Sequence, residues 1–539
     1  MPDQSPTTYI TTPIYYVNDK PHVGHCYTTL IADCLARAAR LAKGRDHAAD
    51  VFFLTGTDEH AEKVVASAAK HDVAPIEWAD RNAAEFQAAF RFFGFSNDDF
   101  IRTTQPRHTD RVRAHIAAMQ ASGDVYLGDY EGWYDASQEE YLTETTAREH
   151  DFTSPVTGRP LEKRSEHNYF FRLSAYQDRL LAHIEANPGF IQPDARKNEV
   201  LGRIKQGLQD VPISRAAREG DTPWGITMPG DESHRVYVWI DALFNYLTVC
   251  EEPGQHRECF WPASMHLIAK DILWFHAVIW PCMLMALDKP VPTTVYAHSF
   301  WVREGRKMSK SEGNFIDLPT LDAYANWDQF GPFALDALRW YLLTQGPLGT
   351  TDADFAHAKL VEVYNADLAN GIGNAASRVA NMINKYFDGQ LPDSPDVAGG
   401  PLPGAAETAV AAQDPVRPDT QAGAAIELVN AVDAYIAETR PFSIAKEDPK
   451  DPRVAAILYQ CAEALRIAAI LFSPAMPGAM AELLERFGQP RPDATGAFSQ
   501  PLTELCAWGG LEPGTTIVKG DALFPRADAT VDPPVAVPA

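Results

Sequence analysis

Two hydrophobic periods alternate along the first hundred residues. Residues 9–17, YITTPIYYV, are rich in β-branched and aromatic types and read as a strand running into the turn-forming NDKP at 18–21. From Pro21 the apolar positions Leu30, Ile31, Cys34 and Leu35 fall on one helical stripe, with the proline in a favourable first turn. VFFLTG at 51–56 is an unbroken apolar run of the kind buried on both faces of a parallel sheet. Strand, helix, strand predicts an α/β opening. A second strand-rich block holds VYVWIDAL (236–243), MHLIAK (265–270) and TTVYAHSF (293–300). Between the blocks, Tyr126 to His167 is polar and turn-rich, before NYFFRLSAYQDRLLAHI resumes helical spacing. The sheet is therefore expected to be split by an inserted subdomain.

Beyond about residue 355 the strands give way to helices. Leu368, Ile372, Val379 and Ile383 make one apolar face, and Asp451-Pro452 caps a second helix carrying Val454, Ile457, Leu458, Cys461 and Leu465. Residues 391–420, rich in proline, glycine and alanine, read as an extended surface linker. The longest apolar run, Leu273 to Leu287, is broken by His276 and Pro281; it falls short of the roughly 20 residues that span a bilayer and reads as a buried helix.

A chain of 539 residues is expected to form two or three domains. Its 45% hydrophobic and 22% charged residues exclude wholesale disorder and collagen-like or coiled-coil composition. With 47 basic and 72 acidic residues, the net charge of -25 argues against nucleic-acid binding through a uniformly positive surface, while leaving room for a local basic groove. The seven cysteines are scattered and never spaced C-x-x-C, which suits a reducing cytoplasm better than a disulfide framework or zinc knuckle. The opening MPDQSPTTYI has no signal-peptide pattern, so export is not expected.

Two short motifs carry chemistry. Pro21-His-Val-Gly-His25 lies where the first strand meets the first helix, where free N–H groups and the helix dipole favour an anion, glycine permits close approach, and two histidines can donate hydrogen bonds. Taken alone it reads more simply as a chance pair of helix-start histidines or as a metal pair. Arg306-Lys-Met-Ser-Lys-Ser311, followed by EGN, is a polar loop whose Lys307 and Lys310 suit a leaving pyrophosphate, or simply a solvated basic surface.

Together, H-x-G-H at the first strand–helix turn and K-M-S-K-S after the last strand resemble the paired signatures of class I aminoacyl-tRNA synthetases. TTPIYYVNDKPHVGH, FLTGTDEH, NYFFRLS, VYVWIDALFNYL, KDILWFH, KMSKSEGN and DLANGIGNAASRVANMINKYFDG, in that order, make the chain similar to methionyl-tRNA synthetases over nearly its whole length. The resemblance implies activation of methionine by ATP, with Mg2+ arriving on the nucleotide, and transfer to tRNA(Met), elongator and initiator. It implies that His22 and His25 stabilise the triphosphate while Lys307 and Lys310 hold its departing end, with Gly24, Asp271 and Ser309 completing the ATP site. For methionine it implies Ile14, Tyr16, Asp58, Arg215, Trp239, Ala242, Leu243, Tyr246, Ile272 and His276, with Asp58 on the ammonium group and Arg215 near the carboxylate. Aromatic rings suit a thioether, since sulfur–ring contacts contribute about 0.3–1.5 kcal/mol. Too few residues separate His25 from Lys307 for the large editing insertion of the isoleucine, valine and leucine relatives.

Asn374, Arg378 and Lys385 share one stripe of a helix, and the resemblance assigns Asn374 and Arg378, with Pro441 and Phe442, to the anticodon. Phe442 stands where the family generally has tryptophan, and Ala61, Ala269 and Ser299 stand where it usually has glycine. The insertion has no cysteines, and its His150 and His167 read as solvated loop residues, so no structural zinc is expected. The implied organisation is a Rossmann-like catalytic domain in two halves (1–125 and 171–300) around a connective insertion (126–170). A KMSKS and stem-contact region (301–355), a helical anticodon domain (356–510) and a C-terminal extension (511–539) follow. TTIVKGDALFPRAD resembles the family's ordinary ending, with no appended tRNA-binding domain of the OB type, so a cytoplasmic monomer without membrane attachment is expected.

Overall fold

A computed structural model describes residues 7–135, 140–142, 144–155, 157–217, 222–303, 305–308, 315–393, 399–412 and 414–534. The expected opening forms as strand β1 (Thr8–Tyr16), helix α1 (Val23–Lys43) and strand β2 (Val51–Asp58). Helices α2 (Glu62–Lys70) and α3 (Pro75–Phe92), strand β3 (Asp99–Arg102) and helix α4 (Pro106–Ser122) follow. Every residue of β2 is buried, which is why its apolar run lacks alternation. The sheet order is β3, β2, β1, then Met265–Ala269, Val295–His298 and Ile191–Gln192, all paired in parallel. From β1 the chain builds first toward β3 and later toward Val295–His298. The crevice at the carboxyl ends of β1 and Met265–Ala269 is thus a switch point, where open parallel sheets bind ligands.

The insertion is built around an antiparallel ladder between Val125–Asp135 and Glu162–Phe171, flanked by Glu140–Leu142 and Val211–Pro212. His167 is therefore a strand residue, not a loop residue, and its ring nitrogen sits 2.8 Å from the Asp129 carboxylate directly across the ladder. NYFF continues the same strand; a 3-10 turn at Leu173–Tyr176 leads into the α-helix, which begins only at Gln177. VYVWIDAL also departs from expectation, since the strand Asp231–Val236 ends at its first residue and Val238–Leu243 is a helix.

The C-terminal half is the expected helical bundle. Leu368, Ile372, Val379 and Ile383 are fully buried, as are Val454, Leu458, Cys461 and Leu465 of the central helix Pro452–Phe472. That helix is long and apolar enough to cross a membrane, yet 94% of its apolar window is buried inside the protein. The region 391–420 is not an extended linker throughout. Leu402–Ala411 forms a helix that buries Leu402, Ala406 and Ala409, spaced four and three apart, against Pro418–Thr439 and Pro452–Phe472. Alanine's helix propensity and prolines confined to the start of the segment account for it.

A buried ionic knot fastens the bundle to α1. Arg339, on the helix Ala334–Gln345, donates to Asp33 of α1 (2.7 Å), to the Phe93 carbonyl (2.9 Å) and to the Ala475 carbonyl (2.9 Å). Burial would raise the Asp33 pKa, but Arg37 and Arg339 hold it down at about 2.

Candidate active site

Helix α1 starts with a reciprocal cap made by two histidines. The Gly24 N–H donates to His22 Nδ1 (3.0 Å) and the His22 N–H donates to His25 Nδ1 (3.2 Å). Since each Nδ1 accepts, a neutral ring carries its proton on Nε2, giving two N–H donors beside a helix N-terminus. The rings lie 3.9 Å apart. Gly24 makes this packing possible, because a Cβ there would sit 2.9 Å from His22 Cε1.

These residues line a cleft of ≈ 630 Å³ at the switch point. The nucleotide set His22, Gly24, His25 and Asp271 lines it, as do Ile14, Tyr16, Asp58, Trp239, Ala242, Leu243, Tyr246, Ile272 and His276 of the methionine set. Residues more than two hundred positions apart converge because the parallel pairing of β1 with Met265–Ala269 joins the two halves of the sheet.

One end of the cleft is aromatic and nearly uncharged. Trp239 meets Tyr16 edge-on (5.6 Å) and stacks on Phe275 (4.6 Å). Tyr246 donates its hydroxyl to His276 Nε2 (2.8 Å), and His276 Nδ1–H donates to the Ile272 carbonyl (3.0 Å). Burial lowers the His276 pKa to about 4, so the ring is neutral at pH 7. Behind it, His266 bonds Thr11 Oγ1 through Nδ1 (2.7 Å) and accepts the Trp280 indole N–H (3.2 Å), which fixes the wall from outside. Asp58, 2% exposed at the end of β2, supplies a carboxylate there. An apolar side chain with an ammonium group fits that arrangement.

The remaining expected site residues are Arg215, Lys307, Ser309 and Lys310. Arg215 does not line the cleft; its guanidinium lies 4.0 Å over the Tyr237 ring and donates to the Ser214 carbonyl, so stacking draws it aside. Lys307 lies on the strand Arg306–Lys307, paired with Trp301–Arg303, while Ser309 and Lys310 fall outside the described residues. Met308 and Phe315, on either side of that segment, both line the cleft, and Phe315 meets His22 edge-on at 4.9 Å. Sequence reasoning missed Lys63, His298, Phe300 and Trp301, which also line it. The last three lie at or just beyond the carboxyl end of a parallel strand, and that position was the available signal. His298 donates through Nδ1–H to the Ser299 carbonyl (2.7 Å), bonds Thr28 Oγ1 (2.8 Å), and is lowered to about 4 by burial.

Two of the three glycine departures are accommodated in plain ways. Ser299 donates to the Gly349 carbonyl (3.2 Å) and accepts from Arg196 (3.1 Å), and Ala61 is fully buried at the start of α2. Ala269 lines the cleft. Among the described residues no three His, Cys, Asp or Glu side chains gather as a metal site. In the bundle, Asn374 is exposed, and Arg378 on the same helix Gly373–Phe387 pairs with Asp433 (2.7 Å). Pro441 is buried and Phe442 exposed on the short helix Pro441–Glu447, which packs on the same central helix as Gly373–Phe387.

A family model described as tRNA synthetases class I (M) matches residues 8–150 and 148–380. A methionine–tRNA ligase of Bacillus subtilis is 40% identical over 98% of this chain and 79% of its own length, and one of Streptomyces coelicolor is 40% identical over 96% of both. Among solved structures, a Mycobacterium tuberculosis methionyl-tRNA synthetase in complex with methionyl-adenylate superposes with a TM-score of 0.85, at 35% identity, over 97% of this chain and 100% of the other. Sequence, fold and cleft agree: the chain belongs to the methionyl-tRNA synthetases of the class I family.

Proposed function

We propose that the chain is a methionine–tRNA ligase, which activates methionine with ATP and transfers it to tRNA(Met). The observation that carries this reading is one cleft holding a neutral aromatic pocket with Asp58 at one end and the histidine-capped start of α1 at the other. In the first step a methionine carboxylate oxygen attacks the α-phosphorus of ATP. The bond from that phosphorus to its bridging oxygen breaks, and pyrophosphate leaves with the electron pair. Such catalysis is chiefly positioning and charge stabilisation, which suits the Nε2–H donors of His22 and His25. Asp58 would hold the ammonium group while Tyr16, Trp239, Tyr246 and His276 surround the thioether. Lys307 and Lys310 would grip the departing pyrophosphate, with Gly24, Ser309 and Asp271 completing the nucleotide site and magnesium entering on ATP. A terminal ribose hydroxyl of the tRNA then attacks the adenylate carbonyl and AMP leaves.

The tRNA end of the reading rests on the bundle. Asn374, Arg378, Pro441 and Phe442 would read the anticodon, the exposed ring stacking on a base and the amide and guanidinium bonding base edges. With tRNA as its substrate, the enzyme would work in the cytoplasm, and as a monomer. Purified protein incubated with ATP and labelled methionine should yield an isolable methionyl-adenylate that discharges onto tRNA(Met). Phe442→Ala should weaken that discharge about tenfold or more, as loss of a stacked base would, while leaving adenylate formation unchanged. Equal loss of both activities would contradict the division of labour.

A further inference from the structure

Behind the aromatic pocket, outside the cleft lining, a fully buried carboxylate joins three elements. Asp241 lies on the helix Val238–Leu243, whose Trp239, Ala242 and Leu243 face the cleft. Those three residues occupy positions i, i+3 and i+4 of one helical face, which leaves Asp241 on the opposite side. There its two oxygens are divided between two histidines. His60 donates through Nδ1–H to Oδ2 (2.6 Å) and His108 donates through Nε2–H to Oδ1 (2.7 Å). His60 stands two residues beyond Asp58, and His108 lies in the first turn of α4. His108 Nδ1 is also 3.4 Å from Thr248 Oγ1, on the short helix Asn245–Thr248 that carries Tyr246. Trp224 closes the outside, with its ring edge-on to His60 (5.6 Å) and its indole N–H on the Glu59 carbonyl (2.8 Å).

We propose that Asp241, held by His60 and His108, is a positioning residue for amino-acid binding: it fixes the distance between Asp58 and the aromatic wall of the pocket. Among the described residues, the hydrogen bonds of His60, His108 and Asp241 do not reach α1, the 269–272 turn or the 298–301 segment, where the proposed nucleotide groups lie. Burial would raise the Asp241 pKa, but the two facing histidines hold it at about 2, so both of its oxygens remain acceptors. A buried carboxylate shared by two donors from different elements has a narrow geometric minimum, and displacement of about 1 Å in a binding constellation is enough to weaken it severely.

The inference rests on the methionine reading and is tested beside it. If wild-type protein shows no methionine-dependent exchange of pyrophosphate into ATP, the reading itself fails before any variant is compared. Given that exchange, His108→Leu removes one donor from Asp241 without touching the cleft. It is expected to raise the methionine KM about tenfold or more while the ATP KM stays within about twofold. His108→Gln, which returns an N–H donor near the position of Nε2, should restore most of the methionine KM. Asp241→Asn keeps the side chain's shape and gives the same reading should His108→Leu fail to fold. A lowered melting temperature with both KM values unchanged, or a parallel rise in both, would overturn the proposal and leave Asp241 as a core-stabilising group only.

Discussion

Gly24 shows how closely single atoms are matched at the start of α1. It leaves the His22 ring room that a methyl group would invade at 2.9 Å from Cε1, and its own N–H caps that ring. Gly24→Ala should therefore displace a phosphate donor and slow adenylate formation about 10²-fold, the usual order for losing one oxyanion donor, with only a small change in melting temperature. Near-normal turnover in pre-steady-state adenylate formation would contradict the assigned geometry. His276 and His298 make a second prediction at this scale. Both are lowered by burial from 6.5 to about 4, so the folded chain keeps them neutral while the unfolded chain protonates below 6.5. Their contribution to stability is present above pH 6.5 and lost as pH falls from 6.5 toward 4, at about 1.4 kcal/mol per pH unit for each group. Chemical denaturation of His298→Gln at pH 5 and 7 should show one group's share of that slope missing; an unchanged slope would mean His298 titrates normally.

At the scale of elements, the test case is the helix Leu402–Ala411. If it packs as described, Leu402→Ala should cost about 2–5 kcal/mol in denaturant unfolding, whereas a residue in an exposed linker would shift stability by less than about 0.5 kcal/mol. The sequence concealed this helix because proline and glycine at its flanks dominated the composition of the whole stretch. VWIDAL failed differently: it is buried nearly all round, so its apolar positions carry no period, and its β-branched and aromatic residues mimic a strand. NYFF at 168–171 has apolar residues that read on into the helix after it, yet it belongs to an antiparallel ladder whose partner, residues 125–135, lies some forty positions earlier. Elements announced by a local pattern, an apolar stripe, a cap or an unbroken apolar run, were legible; elements defined by distant partners were not. β1, α1, β2 and the helical segments around Leu368, Val379 and Val454 belong to the first class.

At the scale of the whole molecule, a chain of net charge -25 that must meet tRNA places its chemistry in a crevice and not on a broad basic face. The crevice itself was legible because two motifs fixed which strand ends meet, and thirteen of the site residues expected from sequence line it. The stacking of Arg215 on Tyr237 is a contact between neighbouring elements that no motif spacing encodes. The Asp241 network was invisible for the same reason, since His60, His108 and Asp241 are separated by 48 and 133 positions and meet only in the fold, where α4 packs on the short helix Asn245–Thr248. The central claim is that this cleft selects methionine for adenylation. Amino-acid-dependent exchange of pyrophosphate into ATP, compared across methionine, leucine, isoleucine, valine, cysteine and homocysteine, tests it most directly. The account predicts exchange dominated by methionine; exchange dominated by another amino acid, or none from folded protein, would contradict it.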